Sequence, residues 1–353
     1  MTSRRLWAAA GLALLAAPVA AADPDGPPLT NPWLAGSVTV ITENDKWAMR
    51  GDDRHYTNGV RFGWVSDVID RESPWRWALG LAGAIPSFDP NGETRIGFAF
   101  GQSMYTPGNT RKSAPIFNDR PYAGWLYGGI ALVNETRNGT RGIDAADKLD
   151  TLEINVGVVG PGAGGRKAQN DWHHFIGVDE ASGWSNQLPN EPGVVVYYER
   201  KWRDAIDLRT QLVDGLAIDL IPHAAVSLGN VATYAAGGGS VRFGRNLDVD
   251  FGPPRIRPAL SGSGYVRGSD DLGWYLFAGA EARAVAYDIF LDGPMFRSSQ
   301  SVDRRPLVLD FQAGAAVTWR SLRVAYTYVV RTREFASQST PDRFGAISLT
   351  LGF

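Results

Sequence analysis

The chain has 353 residues, 44% of them hydrophobic and 20% charged, and its formal net charge is −2. A nearly neutral chain without a long basic cluster is not typical of nucleic-acid-binding proteins, so we expect no nucleic-acid partner. It contains no cysteine, which excludes disulfides, thiolate metal sites and a cysteine nucleophile.

The N-terminus has the three regions of a secretory signal peptide. Arg4 and Arg5 precede an apolar run from Leu6 to Ala17, and the small residues 20–22 follow. This run is shorter than the roughly 20 residues that a membrane-spanning helix needs, so an export signal is favoured over an anchor. We predict a signal peptide over residues 1–22, with cleavage after Ala22, and a single domain over residues 23–353.

Alternation of apolar and polar residues with a period of two predicts β-strands along most of the remaining chain. In 148–160, Leu152, Ile154 and Val156 share one face, and Thr151 and Glu153 share the other. Several alternating runs span 11 to 15 residues, which exceeds the about 5 or 6 residues of a soluble strand and fits a tilted membrane strand. A membrane barrel is therefore favoured over a soluble sandwich.

The fold class that we predict is all-β: a twelve-stranded antiparallel transmembrane β-barrel of a Gram-negative outer membrane. The predicted strands are 36–45, 57–67, 95–104, 121–134, 148–160, 193–204, 216–228, 231–244, 273–287, 306–320, 321–332 and 343–353. An even number leaves both termini on the periplasmic side. Most long connections, including 161–192, fall on the extracellular side. The segment 68–94 lies on the other side and is predicted as a helix or an extra strand pair.

Polar residues cluster at strand ends that would meet at the extracellular rim. The carboxylates in these connections are hard oxygen ligands suited to calcium: Asp45, Asp52, Asp53 and Asp179. A histidine there would supply a base that titrates near neutral pH. Each cluster, taken singly, is also what an ordinary solvated turn contains.

Two adjacent histidines leave the base ambiguous from spacing alone. His173 has Asp179 six residues later, and His174 has Glu180 six residues later. We expect the segment to be extended, so that the two side chains point to opposite faces and only one of them can address the site. His223 is predicted to be a lumen residue of the seventh strand.

Six strings in the first part of the chain carry a resemblance to a known family. They are ENDKW, DDRHYTNG, QSMYTP, DRPYAGWLY, GPGAGGRKAQNDWHHFIG and GWSNQLPNEP. In this order they resemble the lipid A 3-O-deacylases of the outer membrane, over most of residues 36–200. The later strands match that family only in barrel character.

The resemblance implies a calcium-dependent hydrolase that removes the 3′-linked acyloxyacyl chain of lipid A, at a site between the barrel wall and the outer leaflet. It makes His173, in the family's Q-N-x-x-H string, the catalytic base, and it gives Asn44 a catalytic role. It implies calcium ligands at Asp45, Thr57 and Asp179, the last at a position where the family commonly has glutamate. It also implies substrate-binding roles for Lys112 and Gln169. We expect a monomer whose substrate is lipopolysaccharide.

Two alternatives remain open at the level of sequence. An outer-membrane phospholipase would also need a barrel, calcium and a base, but such barrels generally use a serine nucleophile, and no serine here stands out by its context. A porin or structural barrel would need a polar lumen, but not the carboxylates and histidine clustered at the rim.

Overall fold

The computed structural model describes residues 33–48, 54–137, 146–177, 179–203, 215–257 and 263–353. The predicted signal peptide and the candidate ligands Asp52 and Asp53 lie outside these residues, so those expectations stay predictions.

The described residues form twelve antiparallel strands that close into one barrel, in which each strand pairs with its neighbours in chain order and β1 pairs with β12. The strands are β1 Gly36–Asn44, β2 His55–Ser66, β3 Glu93–Thr106, β4 Ala123–Thr136, β5 Asp147–Val159, β6 Glu191–Arg203, β7 Ala217–Gly229, β8 Ala232–Arg245, β9 Ser269–Asp288, β10 Leu307–Arg320, β11 Leu322–Arg331 and β12 Asp342–Gly352. The predicted fold class is confirmed, and the predicted strand ends differ by at most four residues.

The alternation along each strand separates an apolar outer face from a polar lumen. On β9, Leu276 faces outward with 54% of its surface exposed, whereas Glu281 and Arg283 are buried inside. His223 also faces the lumen, as predicted, with Nε2 3.0 Å from a carboxylate oxygen of Glu281. This arrangement suits a lipid environment outside and hydrogen-bonded charges inside.

Leu276→Arg should destabilise the barrel by about 2–4 kcal/mol, because it places a charge on the lipid-facing surface. Urea titration of folding into phospholipid bilayers would measure this loss. Leu276→Phe is the matched control and should fold as the parent does. Equal stability of the arginine and phenylalanine variants would contradict the assigned facing.

The lumen is filled by protein from both ends. From the periplasmic end, the β8–β9 connection enters the lumen. Its Asp250 pairs with Arg242 and Arg323, and its Arg255 reaches Glu43 near the outer end of β1, at 3.0 Å. From the outer end, Phe290 of the β9–β10 connection stacks on the Tyr105 ring, with centroids 3.9 Å apart. This packing disfavours the porin alternative, because a porin needs a water-filled lumen.

The described residues also include three short α-helices in the connections: α1 Trp77–Gly83, α2 Gly165–Ile176 and α3 Ile289–Asp292. Helix α1 decides the prediction for 68–94 in favour of a helix. In the part of the chain that the structure describes, every helix is too short or too polar to span a bilayer.

Candidate functional site

Helix α2 lies in the predicted wide loop 161–192 and carries His173. Glycines bracket it, since Gly164 and Gly177 have φ of 70° and 69°, a left-handed conformation that favours glycine at helix ends. Gly165, Gln169 and His173 are buried and lie four residues apart, so they form one stripe along the helix. The expectation that the histidines lie in an extended segment was therefore wrong.

The buried stripe of α2 faces the outside of the barrel wall. A Cβ atom on Gly165 would lie 3.4 Å from the Cα of Gly124 on β4, so glycine permits this close approach. Gln102 of β3 donates to the carbonyl of Ala163 at 2.6 Å, and it lies on the same face of β3 as the exposed Phe100. The helix thus covers the lipid-facing surface of β3 and β4 at their extracellular ends.

His173 is held in a fixed orientation between α2 and the residues that follow it. It is only 2% exposed, and its Nδ1 lies 2.8 Å from the backbone carbonyl of Asp179. A carbonyl can only accept a hydrogen bond, so Nδ1 carries a proton and Nε2 is the basic nitrogen of the neutral ring. His174, by contrast, is exposed.

Asn170 fastens the segment that carries this carbonyl. Its side-chain amide donates to a carboxylate oxygen of Glu180 at 3.2 Å, and its Oδ1 accepts from the backbone N–H of Ala181 at 3.2 Å. These bonds hold the two residues that follow Asp179 against α2. Asn170 therefore sets the position of the acceptor that orients His173.

Gln169 is buried one helical turn before His173. Its Oε1 accepts a hydrogen bond from the indole N–H of Trp184 at 2.7 Å. Trp184 packs in turn against Tyr122, and both belong to one buried cluster with Met104 of β3. Because its side-chain carbonyl accepts this hydrogen bond, Gln169 positions the helix, and its substrate-binding role stays a prediction.

Asn44, Asp45 and Thr57 lie at the adjoining rim. Asn44 pairs across β1 and β2 with Asn58, and its Oδ1 accepts from the N–H of Lys46 at 2.9 Å. Asp45 is buried, and its carboxylate accepts from the N–H of Arg54 at 3.0 Å. These bonds fix the two ends of the β1–β2 connection.

Thr57 is placed by an irregularity in β2. The pairing with β3 shifts between Tyr56 and Asn58, so Thr57 is the extra residue of a β-bulge, a feature that re-aims a side chain. Its hydroxyl lies 2.7 Å from that of Thr106. Thr106 shares a face of β3 with Met104, and Met104 belongs to the same buried cluster as Trp184. Thr57 is therefore held at the end of β3 whose outer face α2 covers.

Lys112 lies in the β3–β4 connection and Asp179 in the β5–β6 connection, and these two loops are hydrogen-bonded to each other at the extracellular end of the barrel. The carbonyl of Thr110 accepts from the N–H of Ser182 at 2.8 Å, so the β3–β4 and β5–β6 connections hold each other. Lys112 is exposed there. The carboxylate of Asp179 is also exposed and lies 3.3 Å from the Arg111 guanidinium. An ion pair this exposed contributes little free energy, so it restrains the carboxylate weakly.

The β3–β4 connection is anchored again at its end by Asp119. Burial raises the pKa of this carboxyl, but hydrogen bonds from His55 and from the N–H groups of Gly108 and Arg120 outweigh it and hold the pKa below its usual value. Asp119 therefore stays ionised, and it ties the loop that carries Lys112 to the start of β2.

The oxygen donors at the rim are of the type that calcium binds, but there are few of them. Asp45 supplies a carboxylate and Thr57 a hydroxyl, both hard oxygen ligands. In the described ranges, no three side chains of histidine, cysteine, aspartate or glutamate are grouped to hold a metal. In this arrangement Asp179 presents its backbone carbonyl to His173 and its carboxylate to Arg111. Asp45 and Thr57 carry oxygen donors of a kind that calcium accepts, and the calcium-binding roles of Asp45, Thr57 and Asp179 stay predictions.

Three contributors to this site were not assigned from the sequence: Thr106, Asn170 and Trp184. Each lies in one of the six strings, and its partner is far away in the chain or depends on the helix. The strings contain these residues, but only the fold shows which side chains pair.

Comparisons with known proteins agree with this architecture. The family model described as outer membrane protein LpxR matches residues 6–353. LpxR from Salmonella typhimurium is similar in structure, with a TM-score of 0.69 and 23% sequence identity over 90% of this chain and 100% of that chain. The β domain of the Bordetella autotransporter BrkA gives a TM-score of 0.45 and 8% identity, over 91% of this chain and 100% of that one. No curated protein matches the chain. Because the family model spans nearly the whole sequence, the chain belongs to the LpxR family of outer membrane proteins.

Proposed function

We propose that this protein is a calcium-dependent lipid A deacylase that hydrolyses the ester of the 3′-linked acyloxyacyl chain in the outer leaflet. The observation that carries the proposal is the buried His173 on the lipid-facing side of the barrel wall, with Nδ1 held by a carbonyl. A base in that position meets a lipid substrate from the membrane and not from the lumen.

In the proposed reaction, Nε2 of His173 removes a proton from water as the water attacks the ester carbonyl. The ester C–O bond then breaks, and the histidine returns the proton to the sugar oxygen. The products are an acyloxyacyl carboxylic acid and a free 3′-hydroxyl. The route uses no covalent intermediate and no serine.

Asn44 is suited to assist at the developing charge. Its Oδ1 already accepts from Lys46, so its amide N–H groups are the part that can donate to the oxyanion or orient the water. Asp45 and Thr57 would hold calcium, and Asp179 would join them if its carboxylate turned from Arg111. When bound, the ion would polarise the ester carbonyl.

The surroundings of His173 suit an amphiphile with phosphates and several chains. Phe98 and Phe100 are exposed on the outer face of β3 below the helix, where acyl chains would lie. Lys112 is exposed above, at the level of the head group, and would bind a lipid A phosphate. All of these groups come from one chain, as the expected monomer requires.

The experiment that tests this function is mass spectrometry of lipid A from cells with and without the protein, with His173→Ala as matched control. We expect loss of the acyloxyacyl mass only in cells that carry the parent protein. Accumulation of lysophospholipid with unchanged lipid A would instead favour the phospholipase alternative. Unchanged lipid A and phospholipid in cells with folded protein would contradict both enzymes.

Asn170→Ala should lower kcat by about 10- to 100-fold with little change in KM, because an orienting partner of the base is lost. Asn170→Asp should recover part of the activity, since its carboxylate still accepts from Ala181. Asp171→Ala, at the exposed neighbour, is the control. The measurement is the kcat and KM of each variant with purified lipid A. A kcat of Asn170→Ala equal to that of the control would show that Asn170 does not orient His173.

A further inference from the structure

The β2–β3 connection, residues 67–92, packs against the outside of the barrel at its periplasmic end. Ile96 of β3 and Leu132 of β4 are buried, at 0% and 9% exposure, although each lies two residues from an exposed lipid-facing residue, Phe98 and Ile130. Residues two apart on a strand share a face. The connection therefore covers the lower part of the lipid-facing wall, with Ala78 and Ala82 of α1 against it.

Hydrogen bonds fix the connection in this position. The backbone N–H of Ile69 donates to the carbonyl of Thr94 at 2.8 Å. Asn134 of β4 accepts from the N–H of Asp89 at 2.9 Å and donates back to its carbonyl at 3.1 Å. The connection is thus a built part of the wall and not a loop projecting into the periplasm.

The side of α1 that faces away from the wall is apolar and exposed. Trp77 and Leu81 lie one turn apart with 48% and 52% of their surfaces exposed, beside the equally exposed Trp33 and Leu34. The rings form a continuous cluster, with Trp75 lying 5.1 Å from Trp33, 6.3 Å from Trp77 and 5.5 Å from Phe98. Exposing this continuous apolar patch to water would be energetically unfavourable.

The position of the patch indicates what covers it. Through Trp75 and Phe98 it is continuous with the lipid-facing belt of the barrel, and it lies at the periplasmic boundary of that belt. Tryptophan is the residue type that favours the membrane–water interface, since its ring is apolar and its N–H is polar. Helices with one apolar face bind there in the plane of the leaflet.

We propose that the β2–β3 connection is an interfacial anchor that binds the phospholipids of the inner leaflet, with Trp77 and Leu81 inserted among their acyl chains. The anchor lies beneath α2, on the outer face of the same strands, β3 and β4. It would fix the depth of this sector of the barrel at the leaflet opposite the candidate site. This proposal does not depend on the proposed catalytic activity.

The lack of cysteine in the chain permits a direct test. Single cysteines are introduced by Leu81→Cys, by Phe62→Cys on the lipid-facing wall, and by Asn91→Cys at an exposed polar position of the same connection. Each is labelled with a small fluorophore in the full-length barrel, folded into phosphatidylcholine vesicles. Quenching is then measured with brominated acyl chains and with aqueous iodide.

We expect the probe at residue 81 to behave like the one at residue 62, with strong quenching by brominated chains and weak quenching by iodide. The probe at residue 91 should show the opposite response. If residue 81 were quenched like residue 91, the patch would face water and the proposal would fail. Shielding of residue 81 from both quenchers would also overturn it, because protein and not lipid would then cover α1.

Discussion

Excess chelator should abolish deacylation while the barrel stays folded, and added calcium should restore the activity. The proposed ligands Asp45 and Thr57 lie at the extracellular ends of β1 and β2, whereas the strands are held by their own hydrogen bonds and by the packed lumen. The ion is therefore expected to serve catalysis and not folding. Activity would be measured on purified lipid A, and folding by the altered gel migration of unheated barrel.

Asp45→Ala should reproduce the effect of the chelator in the presence of calcium, and it should abolish calcium binding measured by calorimetry. Asp171→Asn removes a carboxylate of α2 that is exposed and pairs with Lys167, and it should change neither property. Full activity in excess chelator would show that hydrolysis needs no calcium, even if His173 remained essential.

Asp179→Asn separates the two ways in which this residue can act. If its carboxylate leaves Arg111 to bind the ion, calcium affinity should fall sharply in this variant. If only the backbone carbonyl matters, through His173, calorimetry and kinetics should both match the parent protein. The first outcome is expected from the family resemblance.

The strands could be predicted from sequence because a membrane barrel imposes a strict alternation over long runs. Leu276 and Arg283 lie an odd number of residues apart on one strand, so they face opposite sides of the barrel wall. This difference can be predicted without knowing the tertiary structure. The helices α1 and α2 were harder to predict from the sequence, since each is short and lies between turn-forming residues. Their stability comes from packing on the outer wall and not from the intrinsic preference of the segment.

The site was predictable in position and less so in geometry. Hairpin parity brings Asn44, Thr57 and the β5–β6 connection to one rim, and the family string selects His173 over its neighbour. The hydrogen bond from Trp184 to Gln169 joins residues on different elements. The alternation of apolar and polar residues along the strands does not predict such a pairing. The same holds for the lumen, where Arg255 and Glu43 pair across 212 positions of the chain.

His173→Ala should lower the rate of deacylation by about 10²- to 10⁴-fold, the range typical of a lost general base. The structure supports this choice independently of the family string. His173 belongs to the buried stripe of α2 and has its Nδ1 fixed by a carbonyl, whereas His174 lies about 100° further around the helix and is exposed. From the sequence, His174 remained a candidate base because Glu180 follows it by six residues. In the structure, the carboxylate of Glu180 instead accepts a hydrogen bond from Asn170.

His174→Ala is therefore the matched control, and it should keep the activity of the parent protein. His173→Gln adds a second comparison, since glutamine can still donate to the carbonyl of Asp179 but cannot take up a proton at neutral pH. It should fold like the parent and remain as inactive as the alanine variant. Substantial activity in His173→Gln would reduce the residue to a structural role. Loss of activity in His174→Ala alone would place the base at His174 and require α2 to turn on the wall.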